Sequence, residues 1–288
     1  MSVFYHAVLL ITHYYLKRST MKIDLSKYTG INQFGHAYQI MLENDLHAHN
    51  SVDRVLMARM VKLCQGIVEY LYTKYTPTKV KHQKGSKPEL ERYVNNVITG
   101  CESEEDRIKR IASFCSRLSA KVEGQSLNGM LVGGTEEEII QRGSDMCTDV
   151  ARVGCAMCQV AGFPARMVYL FDIGQAYSGH VIIEVFRDNV WGAVDTSTSV
   201  IYRHTDGKIV TTWDLIQDPR LIEFNRGISD GFYTTVGQFK GAAISNYFVW
   251  EKHNYKISGI NDYYRSILEM SDKGWPCGLR WLHGEDND

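Results

Sequence analysis

The apolar positions of this chain recur at helical spacing in its first half and switch to strand spacing after residue 164. Between residues 32 and 76, Val55, Leu56, Met60, Leu63, Val68 and Leu71 follow one another at roughly helical intervals, predicting a helix that Pro77 stops. The polar stretch 78–88 then reads as a linker. Ser103 followed by acids predicts a helix N-terminus with charges favourable to the dipole. Ile108, Ile111, Ala112, Cys115 and Leu118 supply the apolar stripe of that helix. Thr135 and Glu138 have the spacing of a capping box, so a short helix is expected to reach about Gln141. Residues 143–146, GSDM, read as a turn. Helix resumes near Cys147 and ends at Ala161-Gly162, with Pro164 beyond it.

Three segments rich in β-branched and aromatic residues follow: ARMVYLF (165–171), HVIIEVF (180–186) and VWGAVDT (190–196). They predict adjacent antiparallel strands, the last two joined through Arg187-Asp188-Asn189. Helices followed by a run of strands indicate an α+β fold rather than a βαβ sheet. The expected organisation is a helical N-terminal extension over residues 1–100, a core over 101–215 and an aromatic-rich C-terminal extension over 216–288. That last segment is expected to complete or cover the core.

Composition narrows the function. The chain has 32 basic and 33 acidic residues, a net charge of −1, and so no electrostatic footprint for nucleic acid or an anionic membrane. The apolar run 3–16 has no positive region before it and is too short to span a bilayer. It reads as a buried element. Seven cysteines at irregular spacing form no small disulfide framework, which points to a reducing, cytoplasmic setting. Cys155 and Cys158 lie mid-helix with no second ligand pair, so they read as core thiols rather than a metal site.

The candidate chemistry lies in three residues. Cys147 falls in the first turn of a helix, where unpaired N–H groups and the positive dipole end favour thiolate. His180 opens a strand after the loop-like stretch IGQAYSG, with Ile182 and Glu184 on its face and Val181, Ile183 and Val185 on the other. Asp195 lies near the end of the next strand. A hairpin centred on residues 187–189 pairs His180 with position 196 and leaves Asp195 one residue from directly opposite. One slip of register decides whether the two face each other.

Residues 103–200 resemble the transglutaminase-like superfamily of papain-like cysteine enzymes. The resemblance rests on Cys147-Thr-Asp149-Val-Ala151, Ala161-Gly162-Phe-Pro164-Ala165-Arg166, His180-x-x-x-Glu184-Val185 and Trp191-x-x-x-Asp195. It implies a nucleophile-bearing helix packed on an antiparallel sheet. It also implies acyl chemistry at an amide or ester: Cys147 would form a thioester, His180 would serve as base and acid, and Asp195 would orient the imidazole. The chain departs from the family pattern at Asp145, Thr148 and Ile182. Gln141 is a candidate oxyanion donor beside the N–H of Cys147. No cofactor and no metal are called for. The expected substrate is a peptide, a protein or a small amide or thioester, with water or an amine as acceptor. The alternatives are a non-catalytic interaction module on the same fold and a biosynthetic enzyme condensing an acyl thioester with an amine.

Overall fold

The computed structural model describes residues 61–73, 82–122, 134–172, 175–226 and 241–245. In chain order these form β1 (Val61–Leu63), α1 (Val68–Thr73), α2 (Pro88–Ile98), α3 (Glu104–Ser116), α4 (Glu136–Arg142), α5 (Cys147–Val160), β2 (Ala165–Asp172), β3 (Gln175–Arg187), β4 (Val190–Asp195), β5 (Val200–Ile201), α6 (Thr212–Gln217), α7 (Arg220–Arg226) and β6 (Gly241–Ser245). The apolar run 3–16 and most of the predicted helix over 32–76 lie outside the described residues.

The six strands make one antiparallel sheet in the order β1-β6-β2-β3-β4-β5. Strands from all three stretches of the chain therefore share one ladder. The sheet is buried on both faces. Met167, Tyr169, Val181, Ile183, Val185 and Val194 pack under α2 to α5. Val168, Leu170, Ile182, Ala193, Ala242 and Ile244 pack against α1, α6 and α7. Burial on both faces explains why these strands are nearly continuous apolar runs.

The predicted capping signals take physical form. The Ser103 side chain accepts from the Asp106 N–H at 3.1 Å. Thr135 and Glu138 make both bonds of the capping box. At the end of α5, Gly162 adopts φ +95°, Phe163 N–H reaches Cys158 C=O and Gly162 N–H reaches Gln159 C=O. That is a Schellman closure, and it turns the chain directly into β2.

Two expectations are corrected. Leu63 belongs to strand β1, not to a helix: a short apolar run is ambiguous, and pairing with β6 decides it. Strand β3 begins at Gln175, extending through much of the segment expected as a loop. Among the described residues, no helix is long and apolar enough to cross a membrane.

Candidate active site

Cys147 is the first residue of α5, the helix that lies across β2 and β3. The turn before it is tightly braced. Asp149, 3% exposed, accepts from Arg142 Nη2 at 2.9 Å and from Ser144 Oγ at 3.0 Å. Ser144 Oγ in turn accepts the Met146 N–H at 3.2 Å. These bonds fix the path of residues 143–146 and hence the position of the half-buried sulfur.

The hairpin supplies the other two groups. Its connection is the two-residue turn Asp188-Asn189, with φ of +51° and +61°, the geometry of a type I′ turn. The register is therefore Arg187↔Val190 and Ile183↔Val194, one residue away from the three-residue turn expected from sequence. Continued past the ladder's end, this register sets Asp195 opposite Ile182, on the face that His180 shares. The two become diagonal neighbours, which a histidine and an aspartate can span. His180 Nε2 lies 2.8 Å from Asp195 Oδ2, with the two side chains 3% and 0% exposed. Asp195 Oδ1 accepts from the N–H of Ser197 at 2.9 Å and of Thr198 at 3.2 Å, so both carboxylate oxygens are held.

The β3–β4 ladder stops at Ile183↔Val194. Alternation along the hairpin turns the Val181 N–H toward β4, into the gap that opens beyond that pair. The N-terminus of α5 sits there, with the His180 ring, the Val181 N–H and the Thr148 hydroxyl gathered about the Cys147 sulfur. Since Asp195 holds Nε2, Nδ1 is the ring nitrogen left for the sulfur. Burial pushes the Cys147 thiol up, but the His180 hydrogen bond and charge, with the Val181 and Thr148 donors, outweigh it. The thiol lies below its ordinary value. Burial has the opposite net result at the core thiols: Cys158 is pushed up to about 12, and Cys115 and Cys155 are also raised.

The structure thus brings Cys147, His180 and Asp195 into one contiguous line. Gln141 does not join them. Its exposed side chain donates to Glu89 Oε1 of α2 at 3.1 Å, so its amide is engaged on the outer surface. The donors that sequence reasoning missed are the Val181 N–H and the Thr148 hydroxyl. The first depends on where a ladder ends, which no residue type encodes. The second was visible only as an unusual residue after the cysteine. Among the described residues no group of His, Cys, Asp and Glu could hold a metal ion.

Behind the site, Arg166 and Glu184 form a fully buried pair, with Nε–Oε2 at 2.8 Å and Nη2–Oε2 at 2.7 Å. Arg166 also donates to the Leu71 carbonyl at 2.7 Å and lies 4.0 Å from the centre of the Trp191 ring. Glu184 Oε1 accepts from the Tyr72 hydroxyl at 2.8 Å and the Thr212 N–H at 2.9 Å. Arg166 meets a structural carboxylate, as its place at the helix–strand corner suggests.

The structure sets a thiol at a helix start against a histidine and an aspartate on paired antiparallel strands of an α+β fold. Residues 91–196 match the model of the transglutaminase-like superfamily, and their helices and antiparallel strands are consistent with an α+β core of that kind. Proteins of that superfamily are generally cysteine-dependent acyltransferases or protease-like enzymes. No curated protein and no solved structure matches the chain.

Proposed function

We propose that this protein performs cysteine-dependent acyl chemistry on an amide or ester bond. The observation that carries this reading is the continuous contact from Cys147 to His180 to Asp195, closed by the 2.8 Å bond between the last two. The Cys147 sulfur attacks the substrate carbonyl carbon, and the oxygen takes the displaced electron pair. His180, through Nδ1, holds the thiol proton and delivers it to the leaving amine or alcohol as the thioester forms. Asp195 fixes the tautomer with Nε2–H facing it and stabilises the imidazolium. The Cys147 N–H, in the first turn of α5, has no intrahelical acceptor and is a donor for the oxyanion.

The second half-reaction returns the acyl group to water, as in a protease or amidase, or to an amine, as in an acyltransferase. The substrate on this reading is a peptide, a protein or a small amide or thioester. The test compares wild type with Cys147→Ala for thermal stability and, separately, for turnover of p-nitrophenyl acetate with water or a primary amine as acceptor. The reading expects turnover to vanish while stability stays close to wild type. Equal turnover by both proteins overturns it.

A further inference from the structure

Helix starts in this protein are not alike. Ser103, Thr135 and Thr211 cap α3, α4 and α6 with their own side chains. In α4 and α6 the acid three residues after the cap also accepts the cap's N–H, Glu138 from Thr135 at 2.7 Å and Asp214 from Thr211 at 2.8 Å. Helix α5, which begins with Cys147, has Met146 at the capping position, and among the described residues no side chain caps it. Asp149 stands three residues after Met146, the place of Glu138 and Asp214 in their helices. Its Oδ2 instead accepts from Arg142 Nη2 at 2.9 Å and from Ser144 Oγ at 3.0 Å. Ser144 Oγ takes the Met146 N–H in its stead, at 3.2 Å. We propose that Ser144 and Arg142 are positioning residues for Cys147: acting through Asp149, they hold the first turn of α5 from outside the helix and so set where the sulfur stands. The inference rests on the acyl chemistry proposed above and supplies the support of its nucleophile.

The physical reason is a conflict at this helix end. A side chain at the capping position bonds to the N–H two or three residues on, which stabilises the helix. At α5 it would also put an oxygen over the positive helix end beside Cys147, where it would compete with a thiolate or a substrate oxygen. Without such a cap the first turn frays, and a sulfur on the first helical residue moves with it. The bonds around Asp149 answer both demands. Cys147 is clamped on either side in sequence, at Met146 and at Asp149, by one hydroxyl. The far end of the clamp is itself fixed. Arg142 is the last residue of α4, and the Ser144 N–H reaches the Leu118 C=O at 3.3 Å. Gly143, with φ +84°, passes so close to Lys121 that an added Cβ would be 2.5 Å from Lys121 Cβ. Ser144 and Asp149 are both buried, so water does not compete for their bonds.

The experiment uses full-length protein, iodoacetamide as the thiol probe and p-nitrophenyl acetate as the acyl donor. Ser144→Ala removes the hydroxyl that joins Asp149 to the Met146 N–H. Arg142→Met removes the outer support at a side chain partly open to solvent, and Arg142→Lys restores a charged donor. Ser103→Ala, on α3, removes an ordinary helix cap of the same chemistry and serves as the control. For each protein the alkylation of Cys147 is followed against pH, and acylation rates are compared where alkylation has levelled off. Ser144→Ala is expected to acylate about 10- to 100-fold more slowly, the scale of misplacing a reacting group by up to about 1 Å. Its alkylation profile is expected to move to higher pH, because the groups about the sulfur lower the thiol only while it stays in place. Arg142→Met is expected to change in the same direction, and Arg142→Lys to recover most of the rate. Ser103→Ala is expected to lower the melting temperature alone.

Acylation rates and alkylation profiles equal to wild type in Ser144→Ala and Arg142→Met overturn the proposal, whatever their melting temperatures; the network would then serve stability alone. If thermal melting shows that Ser144→Ala does not fold, Arg142→Met set against Arg142→Lys decides by the same criterion. Wild type that acquires no acyl group at Cys147 overturns the acyl chemistry, and the alkylation profiles of the variants still decide the positioning role.

Discussion

The chemistry of the site comes from contrasts between residues of one type. Cys147, Cys115, Cys155 and Cys158 are all free thiols. Burial dominates at the three core residues and raises them, whereas at Cys147 the His180 contact and two further donors reverse that effect. Because the folded value of Cys147 is depressed, its thiolate persists as pH falls below the ordinary thiol range of about 8.5. Alkylation by iodoacetamide near neutral pH is therefore expected at Cys147 well before the core thiols, and peptide mapping of the labelled protein checks this. His180→Gln removes the largest lowering contact and is expected to move the alkylation midpoint of Cys147 upward. Asp195→Asn places an N–H donor where His180 Nε2–H needs an acceptor, or forces the other tautomer. Acylation is expected to fall by as much as about 10⁴-fold, the cost of a misset tautomer in triad enzymes. A far-ultraviolet spectrum checks that the fold survives. These three residues were legible in the sequence because helix starts and strand starts carry local signals. The facing of His180 and Asp195 was not, because it depends on a turn one residue shorter than the expected one.

Two close approaches between elements hold the site in shape. Gly154, midway along α5, lies so near β4 that an added Cβ would be 2.5 Å from Thr196 Cγ2. Thr196 directly follows Asp195, so Gly154→Ala pushes on the residue adjoining the carboxylate. Overpacking of this kind costs about 1–3 kcal/mol. The acylation rate is expected to drop together with the urea midpoint, whereas a purely structural role would lower the midpoint alone. The second approach is the Arg166–Glu184 pair, which joins β2 and β3 and receives α1 and α6 through Tyr72 and the Thr212 N–H. Glu184→Gln leaves a buried guanidinium without its counter-charge, with an expected loss of about 3–5 kcal/mol by denaturant unfolding. Elements with explicit signals, such as the Thr135–Glu138 box and the Gly162 closure, were read correctly from sequence. Strand β1 was not: three residues carry no period, and its identity comes from a partner strand about 180 residues further along the chain.

At the scale of the whole molecule, one antiparallel sheet binds together Val61–Leu63, residues 165–201 and Gly241–Ser245. The flanking sequences gave no sign of this, since β1 and β6 are edge-to-centre pairings between distant segments and each is short. The packed interior also sets the response to alkali. Cys158 is raised to about 12, and Cys115, Cys155 and Tyr72 are raised by burial first of all. A thiol that ionises near about 8.5 when unfolded but higher when folded stabilises the fold fully below the lower value. That contribution declines as pH rises through the folded value. Unfolding by urea is therefore expected to become easier above about pH 8.5, with Cys158→Ala reducing the slope. The central claim is that this fold turns one thiol, Cys147, into an acyl acceptor. The most direct measurement treats the full-length protein with p-nitrophenyl acetate, quenches with acid and maps the acetylated peptides. The account predicts a single acetyl thioester on Cys147, absent from His180→Gln treated in parallel. Acetylation spread over the exposed lysines with Cys147 unmodified would contradict it.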